Sequence, residues 1–229
     1  MNKKYKYEIS FILPCLNEEL TIENTIKEIK KYIKENNINS EIIVVNNGCT
    51  DNSIEIAKKY NVVIVDELKI GYGNALRKGI EVANGKYIIM GDCDSTYDFT
   101  NLEPFIEKLR LGYDLVVGNR YRGGFEKGST PISHYYGAKI LSFIAKKKYN
   151  VNIGDFHCGL RAFDSKIAKN IKFKTEGMEF STEIIREYSK RSKKIIEVPT
   201  ILKKGNDKRK SKLRTVKDGL RHLIYIIRN

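Results

Sequence analysis

The chain has 229 residues, 41% of them hydrophobic and 31% charged, the make-up of an ordinary globular domain that needs neither metal nor disulfide to hold a core. Lys and Arg number 42 against 28 Asp and Glu, a net charge of +14 that points to a polyanionic partner: nucleic acid, anionic lipid head groups or a phosphorylated small molecule. Residues 1–10 lack the apolar stretch of a secretory leader, and no run approaches the ~18 apolar residues of a spanning helix, so contact with a membrane is expected but not crossing.

Taken in chain order, residues 8–13 read as a strand. Ile22, Ile26, Ile29 and Ile33 recur at helical spacing and predict an amphipathic helix over 18–35. Residues 41–45 form a continuous apolar strand of the kind buried on both faces, followed by a helix over 51–60. A strand at 62–65, a helix at 74–83 and a strand at 86–90 continue the alternation. Leu102, Ile106 and Leu109 mark a helix, and 114–117 a strand. Repeated β-α-β units predict an α/β fold, a mostly parallel sheet flanked by helices. Residues 121–131 read as a glycine-rich loop, 134–149 as a helix and 155–163 as a turn and strand; 177–189 read as a helix and 194–199 as a strand. Residues 203–229 hold ten Lys and Arg and two Asp, so their net +8 is more than half of the whole +14. Val216, Leu220, Leu223 and Ile227 share one face of a helix predicted there, with Lys217, Arg221 and Arg228 elsewhere. The expected division is one domain over 1–205 and a basic amphipathic segment over 206–229.

Ligands of open α/β sheets bind beyond the carboxyl ends of the strands. Asp92-Cys93-Asp94 follows the fourth strand, and residues two apart on an extended segment point to the same side. Two carboxylates so placed repel each other without a cation; with Mg2+ or Mn2+ they leave coordination places for a diphosphate. Two solvated loop acids are the plain alternative, and only the position after an apolar strand favours the metal. Asn17 reads as a helix N-cap with Glu18 and Glu19 in the first turn, and Asp51 as the cap of the second helix. Gly71-Tyr72-Gly73 lacks the third glycine of a dinucleotide fingerprint, and there is no GxxxxGK[ST] phosphate loop. His134, His157 and His222 are scattered and read as ordinary. Cys15, Cys49, Cys93 and Cys158 form no CxxC pair and read as reduced thiols, yet all stand beside motifs, which keeps a structural zinc site as a remote alternative.

The ordered motifs resemble family 2 glycosyltransferases of the GT-A fold, above all the dolichol-phosphate and polyprenyl-phosphate mannosyl- and glucosyltransferases. The resemblance runs through FILPCLNEE (11–19), IIVVNNGCTDNS (42–53), GYGNALRKGI (71–80) and GDCDSTYDF (91–99). It continues through GNRYRGG (118–124), DFHCGLRAF (155–163), GMEFSTEI (177–184) and KSKLRTVKDGLRHL (210–223). It implies that Pro14, Asn17 and Glu18 contact the nucleoside and that Asp51 is a nucleoside-side acid. Asn47, Gly71 and Cys93 lie in the implied nucleotide-sugar loops. Asp92 and Asp94 match the metal and sugar-nucleotide motif, Arg120 an arginine on phosphate, and Ser211-Lys212 a basic motif at the acceptor phosphate. His134, near where relatives carry an arginine, is a further candidate at the acceptor phosphate. Asn46 and Asn47 replace acids usual in the family.

The activity so implied is inverting transfer of a hexose (glucose, N-acetylglucosamine or mannose) from a nucleotide diphosphate sugar, UDP-linked by preference, to a polyprenyl phosphate. The protein would act from the cytoplasmic side, peripheral on the inner face of a membrane with an anionic surface. A hydroxyl acceptor on a glycan or protein is the first alternative and needs a general base, for which Asp155, Glu179 and Glu183 are candidates, Asp155 foremost. A nucleic-acid-binding module is the other. Its basic cluster at 203–214 contains no aromatic residue, and no helix-turn-helix, RRM or zinc-finger pattern occurs, so no nucleic acid is expected as a partner.

Overall fold

The computed structural model describes residues 5–206 and 215–229. Strands β1 (Tyr7–Cys15), β2 (Ser40–Asn46), β3 (Val63–Asp66) and β4 (Gly85–Met90) carry the first four apolar runs; β5 (Leu115–Asn119), β6 (Gly124–Phe125), β7 (Arg161–Asp164) and β8 (Ile195–Leu202) follow. They form one sheet in the order β3-β2-β1-β4-β7-β5-β8-β6. Every ladder is parallel except those of β7, which runs antiparallel to β4 and β5.

The helices are α1 (Ile22–Glu35), α2 (Ser53–Lys58), α3 (Tyr72–Val82), α4 (Glu103–Arg110), α5 (Arg120–Gly123), α6 (Ile132–Tyr149), α7 (Ser165–Lys169), α8 (Phe180–Arg191) and α9 (Thr215–Arg228). The runs in β1, β2 and β4 are unbroken because both faces are covered. Phe11, Val44 and Ile89 join the core under α1 and α4, whereas Ile12, Ile43 and Ile88 join the one with Leu76, Phe180 and Tyr188 from α3 and α8. This α/β sheet flanked by helices agrees with the sequence.

Local differences have local causes. Helix α1 begins at Ile22 and not at Glu18, because residues 19–21 form a turn against the loop after β2. Part of the expected 121–131 loop is the end of α5 followed by β6, which pairs with β8. The apolar face predicted for the last helix is not the one it buries. Asp218, His222 and Ile226 face the core, while Leu220 and Ile227 stay 54% and 64% exposed. Thr182 on α8 supplies a hydrogen-bond partner for the His222 ring at 2.9 Å, so this polar face can be buried. The Val216 side chain, Ser211 and Lys212 lie outside the described residues. Among the described residues no helix is long and apolar enough to cross a membrane.

Candidate active site

The loops after β1, β2, β4 and β5 open on one cavity of about 620 Å3 at the carboxyl ends of the strands. Pro14, Glu18, Asn47 and Gly71 line one end, with Asp92, Cys93 and Asp94; Arg120 and His134 line the wall as well. Asn17, Asp51 and Asp155 do not line it.

Asn17 and Asp51 are clasps between loops and not helix caps. Asn17 lies in the left-handed region at φ 53°; its Oδ1 accepts from Thr50 N at 2.7 Å, and its Nδ2 donates to Thr50 Oγ1 at 3.2 Å. Asp51 Oδ2 accepts from Glu19 N at 3.1 Å, and Oδ1 accepts from Ser53 N at 3.0 Å. The caps of α1 and α2 are Thr21 and Asn52. Asn47 is a staple. Its Nδ2 donates to the Glu67 and Lys69 carbonyls at 3.0 Å each, and its Oδ1 accepts from Gly71 N at 2.8 Å. A carboxylate could not donate those two bonds, which is a physical reason for amide here in place of acid. The staple holds Gly71 (φ 154°) so close to the Glu176 carbonyl that no β-carbon would fit.

Asp92 and Asp94 follow β4 and share the cavity wall. Asp94 Oδ1 accepts from Thr96 N and Oγ1 at 3.0 and 2.5 Å. Ser95, which follows Asp94, takes φ 61°, a strained backbone of the sort found at functional loops. Burial and the Asp92 charge push the Tyr72 phenol well above its usual range, so it stays protonated beside Asp92. A β-carbon at Gly159 would sit 2.8 Å from Asp92 Oδ2, so only glycine lets the β7 approach pass this carboxylate. Two hard oxygen donors on one wall suit a divalent cation whose other positions come from a bound diphosphate. Among the described residues no group of three or more His, Cys, Asp or Glu could hold a metal, so the zinc alternative fails.

Arg120 and Asp155 form a bidentate pair. Arg120 Nε donates to Oδ2 at 2.7 Å and Nη2 to Oδ1 at 2.8 Å, with the Arg120 backbone N–H on Oδ2 at 3.1 Å and the His157 N–H on Oδ1 at 3.1 Å. Burial alone would raise the Asp155 pKa. The Arg120 charge and these hydrogen bonds outweigh it and hold the carboxyl below its usual range. Fully buried and occupied on both oxygens, Asp155 orients Arg120 and is not placed as a base. The other expected bases are engaged as well. Glu183 accepts from Lys174 N, Thr175 N and Thr175 Oγ1 at 2.8, 2.9 and 2.5 Å. Glu179 Oε1 accepts from Arg221 Nη2 at 2.6 Å, its buried Oε2 has no hydrogen-bond partner among the described residues, and Glu179 does not line the cavity.

All three histidines line the cavity, His134 as the candidate on the acceptor-phosphate side. His157 meets His222 edge-on with ring centroids 4.5 Å apart. Burial lowers the pKa of both, His157 well below the usual imidazole range and His222 to about 4. Burial also lowers that of His134, so at neutral pH it offers a hydrogen bond to a phosphate and not a charge. Sequence reasoning missed Tyr72, Tyr97 and Asp218 on this wall, and Arg161 beneath it. Arg161 is fully buried and donates to the Cys158, Phe156 and Ser181 carbonyls at 2.8, 2.7 and 2.5 Å. Its place inside DFHCGLRAF was the available signal.

The model for "Glycosyl transferase family 2" matches residues 10–172. The low-salt glycan biosynthesis hexosyltransferase Agl6 of Haloferax volcanii is 30% identical over 96% of this chain, which spans 53% of that protein's length. The dolichol-phosphate mannosyltransferase of Pyrococcus furiosus is 26% identical over 96% of this chain and 64% of its own. Glucosyl-3-phosphoglycerate synthase of Mycobacterium tuberculosis, in complex with Mn2+, UDP-glucose and phosphoglyceric acid, superposes with a TM-score of 0.78. It shares 18% identity, over 96% of this chain and 79% of its own, a likeness of fold. The chain belongs to glycosyl transferase family 2.

Proposed function

We propose that the chain transfers a hexose from a UDP-linked sugar to a polyprenyl phosphate with inversion at the anomeric carbon. Mg2+ or Mn2+ held by Asp92 and Asp94 would act as a Lewis acid on the departing diphosphate. The loops clasped by Asn17 and Asp51 present Pro14 and Glu18 to the nucleoside, with the protonated Tyr72 phenol beside Asp92 on the same wall. Arg120, aimed by Asp155, supplies fixed positive charge where anion develops. Helix α6 turns its N-terminal residues Ser133 and His134 to the same cavity, and the positive end of a helix dipole favours an anion there. The acceptor phosphate fits between that helix end and Arg120, beside Tyr121, Phe125 and Tyr135, which pack edge to face at 5.0–5.4 Å. Mn2+ and UDP-glucose in the M. tuberculosis structure, and the dolichol-phosphate name of the P. furiosus relative, support donor and acceptor.

One observation carries the acceptor class: Asp155 and Glu183, expected as bases, have both oxygens committed to structural bonds, and neither they nor Glu179 line the cavity. A phosphate monoester has a second pKa near ~6 and is largely dianionic at neutral pH, so it attacks without a base. The second reading, a hydroxyl acceptor, rests on Asp218, which lines the cavity from α9. Labelled UDP-hexose with Mn2+ and polyprenyl phosphate tests the choice. Label in the organic phase is expected; label passing only to water-soluble glycan or protein would overturn it.

The same reading accounts for an apolar surface. Tyr136, Ile140 and Phe143 on α6 and Leu220, Ile224 and Ile227 on α9 are exposed on two neighbouring helices. With Lys146, Lys147 and Lys148 at the end of α6, they suit docking at an anionic bilayer surface from which a lipid acceptor is drawn.

A further inference from the structure

Three thiols meet where the first two loops cross. Cys15 ends β1, Cys49 follows β2, and Cys93 stands between Asp92 and Asp94. Cys49 Sγ is 3.6 Å from Cys15 Sγ and donates to the Cys15 carbonyl at 3.3 Å. The same sulfur accepts the Asn17 N–H at 3.3 Å, while Cys93 Sγ donates to the Pro14 carbonyl at 3.1 Å. Cys15 and Cys93 are buried along the cavity wall; Cys49 is partly exposed. The Cys15 and Cys49 sulfurs are in van der Waals contact and need to close by about 1.5 Å to reach the ~2.05 Å of a disulfide.

We propose that Cys15 and Cys49 are a modifiable dithiol that a low-molecular-weight disulfide converts to a Cys15–Cys49 cystine, and that this closure weakens donor binding. The first step falls to Cys49, the more accessible thiol. Its thiolate bonds to one sulfur of RS–SR and expels RS−. The Cys15 sulfur then attacks the Cys49 sulfur of the mixed disulfide and expels the second RS−. The protein loses two S–H bonds and gains one S–S bond, and the two protons pass to the two leaving thiolates, so RS–SR ends as two RSH. The adjacent Cys15 thiol and burial push the Cys49 pKa above its ordinary range, so exchange is slow at neutral pH and quickens as pH rises.

Closure acts on the cavity through the loops. It abolishes the Cys49 S–H donation to the Cys15 carbonyl and changes the acceptor that fixes the Asn17 N–H. It also binds the wall formed by Pro14, Cys15 and Glu18 to the loop after β2. The gating half rests on the nucleotide-sugar reading, whereas the linkage does not.

The test incubates the full chain with glutathione disulfide or with glutathione at alkaline pH. Peptide mapping is expected to recover Cys15 and Cys49 in one linked peptide. UDP binding with Mn2+, followed by calorimetry, should weaken about tenfold and recover with dithiothreitol. Cys49→Ser should hold its own affinity constant through the oxidant. Absence of the linkage, a linkage to Cys93 instead, or a linkage that leaves UDP affinity unchanged would overturn the proposal. Failure of the reduced chain to bind UDP at all would refute the donor reading and the gating with it, while the mass map still decides on the dithiol.

Discussion

At the residue scale the site separates groups that face the cavity from groups that hold them. On the proposed function, Asp92→Ala and Asp94→Ala each take away a proposed cation ligand and should lower transfer at least ~100-fold with an unchanged circular dichroism melting curve. Asp155→Ala acts differently. It strands a buried guanidinium, a loss of about 3–5 kcal/mol, so the urea midpoint and turnover should fall together. Asn47→Asp takes two donors from the β3–α3 loop and should cost about 1–3 kcal/mol together with weaker UDP binding, read by urea titration and calorimetry. Asp218→Asn separates the two acceptor readings. A phosphate acceptor predicts less than a ~10-fold loss, and a hydroxyl acceptor a loss of ~100-fold or more. The residue types at these positions were legible in the sequence. Their division into cavity-facing and supporting groups was not, because Asp155, Glu179 and Glu183 look alike until the bonds that occupy them are known.

At the scale of elements, the α/β alternation was legible because the apolar runs of β1, β2 and β4 are buried on both faces and α1, α3 and α4 each bury one apolar stripe. The antiparallel β7 was not, since four residues carry no mark of strand direction. Helix α9 misled for a clear reason: its most apolar face points outward and it buries a polar one on Thr182 and His157. That choice makes its docking sensitive to acid. His222 has a folded pKa of about 4 against an unfolded value near ~6.5. Between those values the unfolded chain binds more protons, so stability should fall as pH drops from about 6.5 toward 4. His157, lowered in the same direction, adds to the loss over the same range. Unfolding free energies from urea titrations at pH 7 and pH 5 should differ by at least about 1–2 kcal/mol, and His222→Gln should flatten that slope. An unchanged midpoint would mean that α9 does not rest on a neutral imidazole.

At the scale of the molecule, a positive charge of +14 and an apolar surface on α6 and α9 belong to one account, in which a lipid-borne anion reaches the cavity from a membrane. Flotation with anionic vesicles should carry the protein at low salt and less at high salt, because charge attraction is screened within about 10 Å at 0.1 M. Replacing Ile140 and Phe143 by Asp should abolish flotation at both. The charge was plain in the sequence, but its partner was not, because lysine is spread over the chain and the 207–214 cluster lies outside the described residues. The claim on which donor, metal and acceptor all depend is that Asp92 and Asp94 hold a cation against the donor diphosphate. Diffraction at the manganese absorption edge, from crystals of the full chain grown with UDP and Mn2+, tests it most directly. An anomalous peak touching both carboxylates and the diphosphate is the predicted result; UDP bound in the cavity with no manganese at either aspartate would contradict it.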